Sequence, residues 1–128
     1  MDHVDLGVPR QIIELLPEDG DDTAQDMQQM VAGLQGSLNG AIDAADTEGD
    51  AAQAAVDALE HLEDRLETYD SFVPELRAWG QSPIYAIAWR NLCADLHAQI
   101  SGTDWLAPHV DRERNARIVE DGIRFGGR

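Results

Sequence analysis

The sequence predicts an all-α fold, a helical bundle of about five helices built on a long antiparallel hairpin. Three observations lead there. Apolar residues recur at alternating steps of four and three over two long stretches, the seam of amphipathic helices. β-branched residues are sparse, and no strand-like alternating run stands out. Prolines and glycines fall mostly between the periodic stretches, where they punctuate helices.

Pro9 suits the first position of a short helix carrying Ile12, Ile13, Leu15 and Leu16, with Pro17 as its stop. The acidic turn Glu18-Asp19-Gly20-Asp21-Asp22 reads as a solvated linker with a helix cap at Asp22 or Thr23. Met27, Val31, Leu34, Leu38, Ala41 and Ala45 then form the seam of a helix over about 22–46. Asp50 with Gln53 resembles a capping box opening a second helix over 50–72, whose seam is Ala52, Ala55, Leu59, Leu62, Leu66, Tyr69 and Val73. The short polar turn between them implies an antiparallel hairpin.

Pro74 is expected to end the hairpin, with Pro74 to Trp79 forming one further turn closed by Gly80. Ser82-Pro83 opens a third long helix over 83–100, punctuated by Gly102. Its stripe is Tyr85, Ala88, Trp89, Leu92, Leu96 and Gln99. An Arg-rich last helix is expected over 108–121, with 122–128 as a frayed tail. The 128 residues suffice for one domain.

Composition gives an address. The chain has 25 acids, no lysine, and arginine at all nine basic positions, for a formal charge of −16. Such a charge repels itself unless concentrated salt screens it at close range. Lysine's apolar stem is a liability where salt strengthens apolar association. The expected setting is the cytoplasm of a halophile that balances external salt with internal salt. A GC-rich genome or an acidic mimic of nucleic-acid phosphates competes with that reading.

Direct DNA binding is not expected, because phosphate affinity draws on clustered basic side chains. Residues 108–128 are the local exception, with five Arg against four acids. No stretch approaches a membrane span, and MDHVDLG does not read as a secretion signal. The lone Cys93 excludes an internal disulfide and is expected in the core.

Gly33, Ser37, Gly40 and Ala44 form a stripe of small residues on the first hairpin helix, with Gly36 beside it. Each glycine costs about 1 kcal/mol against alanine there, which points to close approach of another helix, internal or from a second copy. Trp79, Trp89 and Trp105 are expected to pack the last helices onto the hairpin; a ligand pocket or a partner anchor is the alternative. Glu60, His61, Glu63, Asp64 and Glu67 crowd one helix, but no Glu-x-x-His occurs and the acids flank the apolar seam, so no metal and no cofactor are expected.

Arg90 and His97 lie two turns apart on one face of the third long helix, with Asn91 beside them. Arg90-Asn91 followed by His97, on a late helix of a small helical domain, resembles the Arg-(Asn/Asp/His)-spacer-His motif of HEPN domains. No Tyr follows His97 two positions on, as it does in one subgroup. The resemblance implies a dimeric, metal-independent ribonuclease or an inactive relative. In it His97 would move a proton near the 2′-hydroxyl, Arg90 would clamp the scissile phosphate and Asn91 would support them.

The function expected from the residues themselves is that of a small helical interaction protein without catalysis. A homodimer or a protein partner is expected. RNA enters only under the HEPN alternative, and an acidic nucleic-acid mimic is the third class.

Overall fold

The computed structural model describes residues 2–111. Four helices occur in it: α1 (Arg10–Leu15), α2 (Asp21–Ala44), α3 (Glu48–Ala78) and α4 (Ile84–Ser101). A fifth helical segment opens at 107 and reaches 111. The fold is all-α, and among the described residues there is no strand. Most of the Arg-rich segment expected over 108–121, and the 122–128 tail, lie outside the described residues.

The hairpin of α2 and α3 forms as expected, with corrected ends. Thr47 caps α3, its Oγ1 accepting from the Asp50 amide at 3.1 Å. Asp50 is therefore inside the helix rather than its cap, and Gln53 instead donates to Asp57 at 3.0 Å. At the start of α2 the cap position is Gly20 rather than Asp22 or Thr23, and Asp21 and Asp22 occupy the first turn, where the helix dipole favours acids. α4 begins at Ile84, behind Pro83.

The largest departure is at Pro74, which lies inside α3 rather than ending it. Proline removes one helical hydrogen bond and costs about 3 kcal/mol in an interior. The helix persists because Leu66 and Tyr69 pack against the core ahead of it and a complete closure follows it. Gly80, at φ 72°, takes the left-handed position that glycine accepts readily. There Gly80 N–H donates to Arg77 O at 3.1 Å and Gln81 N–H to Leu76 O at 2.9 Å, the paired bonds of a Schellman stop.

α3 and α4 share the most extensive helix contact, α2 packs along α3, and α1 packs on α4. The core runs through Met27, Val31, Leu38 and Ile42 of α2, Val56, Leu59 and Leu62 of α3, and Leu92, Leu96 and Ile100 of α4. Burying each such side chain contributes about 1.5–3 kcal/mol. Leu106 and Val110 close one end. Residues 2–8 form an extended arm that inserts Val4 and Leu6 into the same core.

Candidate functional site

Arg90 and His97 lie on the α3-facing side of α4. Ala86, Arg90, Cys93, His97 and Ile100 recur at steps of four and three, and Ala86, Cys93 and Ile100 are buried. The two polar positions of this seam meet carboxylates of α3. Arg90 Nε donates to Asp70 Oδ1 at 3.0 Å, and His97 Nε2 lies 2.9 Å from Glu63 Oε1. An ionised carboxylate only accepts, so it is the ring nitrogen that donates.

From Asp70 back to Glu63 and from Arg90 on to His97 are seven residues in opposite directions, about 10 Å along each antiparallel axis. Arg90 and His97 thus share one face with two acids that the motif does not contain, whereas half-buried Asn91 lies about 100° round the helix from Arg90.

Cys93 sits between these pairs in a buried position. Burial pushes its thiol pKa up, and the charge of Arg65 pulls against that shift. A buried protonated thiol is a poor nucleophile. Among the described residues no group of three or more His, Cys, Asp or Glu side chains is placed to hold a metal ion. No described helix is long and apolar enough to cross a membrane.

The small-residue stripe faces outward. Gly33, Ser37, Gly40 and Ala44 are all exposed, and a Cβ added at Gly33, Gly36 or Gly40 would meet nothing within 4 Å. No helix among the described residues closes on it. Next to the stripe, an open cleft follows the α2–α3 seam past Leu34, Ser37, Ala41, Ala54, Ala58 and His61.

The tryptophans divide. Trp89 and Trp105 pack against the core, whereas Trp79 is 71% exposed. Leu15, Phe72 and Tyr85 are the other large apolar side chains standing out among the described residues. All four belong to one end of the bundle, away from the α2–α3 turn. Phe72, Leu76 and Trp79 form one stripe of α3 at steps of four and three. In the hairpin, the 24 residues of α2 reach back only to the level of about residue 71, so this stripe continues beyond the start of α2.

Residues 71–89 carry Glu75 and Arg77 as their only charges, a net of zero in a chain of −16. The expected stop at Pro74 leaves this end out of the sequence expectation. The run of helix after Pro74, nearly free of charge, was the available signal.

A family model described as a family of unknown function, DUF7971, matches residues 1–127, and the chain belongs to that family. No curated protein and no solved structure shows a significant match.

Proposed function

We propose that this family member is a non-catalytic assembly protein of a salt-loaded cytoplasm that pairs with a second copy through the exposed end of its bundle. The observation that carries the reading is the run of exposed Phe72, Trp79 and Tyr85 within residues 71–89, the stretch where charge is balanced. Large exposed apolar groups in a cluster mark association surfaces, and Trp and Tyr are favoured anchors. Two bodies of charge −16 repel least when they meet where neither carries net charge.

The stripe Gly33, Ser37, Gly40, Ala44 is the second candidate contact. It offers close approach but little apolar area, so it ranks behind the end surface. The acids lie in linkers, in first turns and on outer helix faces, a dispersal that supports adaptation to salt over an acidic nucleic-acid mimic.

The ribonuclease alternative rests on Arg90 and His97 sharing a face. It stands second because a phosphate entering there would meet the Asp70 and Glu63 carboxylates already bonded to them. Light scattering in molar KCl tests the main reading. We expect a dimer that Phe72→Gln/Trp79→Gln converts to monomer; a wild-type chain that stays monomeric at high micromolar concentration overturns it.

A further inference from the structure

The arm of residues 2–8 is held by the burial of Val4 and Leu6, by the His3–Asp43 contact at 2.7 Å and by a set of bonds to its backbone. Asn39 of α2 binds Val4 on both sides, accepting from its N–H at 2.8 Å and donating to its C=O at 3.1 Å. Gln99 of α4 does the same to Gly7, at 3.1 and 3.0 Å. Gln35 accepts from the Leu6 N–H at 2.7 Å, and the Trp105 ring N–H donates to Asp2 O at 2.8 Å. Val4 and Leu6 point inward and Val8 packs against the core, while His3, Asp5 and Gly7 face outward.

A side-chain amide that takes both polar groups of one residue does what a neighbouring β-strand does: it recognises extended backbone. Val4 and Leu6, both buried in the core, then set alternate apolar positions. The groove between α2 and α4 therefore has the chemistry of a site for an extended peptide of pattern apolar-x-apolar-Gly, and the chain's own arm shows which ligand fits. Without the arm, Asn39, Gln35 and Gln99 would turn to water, and the helices that carry them would still be braced by α3.

We propose that this groove accepts residues 2–8 of a second copy, in exchange for the resident arm. Every partner of the arm lies on an element after α1, so an arm crossing between copies regains the same bonds. The arm is tied to the body through the short link Val8-Pro9, where Pro9 caps α1. Such a tether lets the segment open locally without the bundle unfolding. Exchange of identical segments is a low-cost route to association, since the closed and crossed forms share their contacts. The site is separate from the exposed end proposed above for pairing.

The test uses complementation in the Phe72→Gln/Trp79→Gln background, so that its result is independent of end-on pairing. One chain lacks residues 2–8 and keeps the groove; the other keeps the arm and carries Asn39→Ala/Gln99→Ala. In molar KCl each alone is expected to be monomeric, and the mixture is expected to give a one-to-one complex by light scattering. Two helical chains that fail to associate overturn the proposal.

A second version needs no deletion. Full-length Leu6→Cys/Gln35→Cys in the same background, oxidised after concentration, is expected to give covalent dimers on a denaturing gel. Internally bridged monomers alone overturn the proposal.

Discussion

Arg90 of α4 is held by Asp70 of α3 at 3.0 Å, one seven-residue step along both helices from the Glu63–His97 pair. The Arg90 and Asp70 side chains remain 40% and 57% exposed, and ion pairs at such positions contribute about 0.2–1 kcal/mol. Arg90→Ala and His97→Ala are therefore expected to lower unfolding stability by about 1 kcal/mol or less each, measured by denaturant titration in molar KCl. Under the assembly reading, wild type and both variants leave single-stranded RNA intact without added metal. Cleavage by wild type that disappears in both variants would instead establish the ribonuclease.

Trp79 is the tryptophan most open to solvent, and it provides a reporter for the end surface. In dilute protein its emission is expected to be red-shifted and quenched by acrylamide, with both properties lost in Trp79→Phe. As concentration rises, pairing should shield the ring, shifting emission to the blue and protecting it from acrylamide. Emission that ignores concentration while the protein dimerises would place the contact elsewhere.

The fold was largely legible because the seams of α2 and α3 repeat at helical spacing and stay free of charge. What escaped was set by tertiary context. Pro74 obeys a local rule that packing before it and the Gly80 closure after it override. The carboxylates that meet Arg90 and His97 stand 20 and 34 residues away in sequence, so no local pattern marks them. The buried face of α4 is one broad arc, from Ala88 through Leu92 and Leu96 to Ile100, Cys93 and Ala86, and Arg90 and His97 lie at its edge against α3. The arm was missed although Val4-Asp5-Leu6-Gly7-Val8 alternates, because five residues are too short to stand out without the amides that receive them.

Cys93 yields a prediction in pH. Its folded thiol has a raised pKa through burial, so between the unfolded and folded values the unfolded chain has lost a proton that the folded chain keeps. Stability from this group is complete below the ordinary thiol pKa of about 8.5 and declines as pH rises above it. Chemical denaturation from pH 7.5 to 10 should show a falling component that Cys93→Ala removes. A thiol reagent at pH 8 should label the native chain far more slowly than the unfolded one; equal rates would contradict the burial.

Charge repulsion makes stability depend on salt. Two like charges about 15 Å apart in water cost about 0.3 kcal/mol. The screening length shrinks from about 10 Å at 0.1 M salt to about 3 Å at 1 M. An excess of sixteen negative charges sums many such pairs. Moving from molar to 0.1 M KCl is expected to lower unfolding stability by on the order of a few kcal/mol, with most of the helical signal lost at a lower temperature. Melting curves that superimpose at the two salt levels would remove the basis for the salt-loaded setting.

The glycines separate a structural need from an interface need. Gly80 adopts a left-handed conformation that completes the α3 stop, so Gly80→Ala is expected to cost about 1 kcal/mol. Gly33, Gly36 and Gly40 lie in a helix with open space where a methyl group would go. Alanine at each is expected to stabilise the monomer by about 0.5–1 kcal/mol, through better helix propensity and a less flexible unfolded chain. If the end surface is the contact, the triple variant melts higher and dimerises as wild type does. If α2 itself packs on a second copy, three methyl groups block the close approach, and the dimer is lost while the monomer gains stability. Melting and light scattering on the same variant therefore decide between the two surfaces.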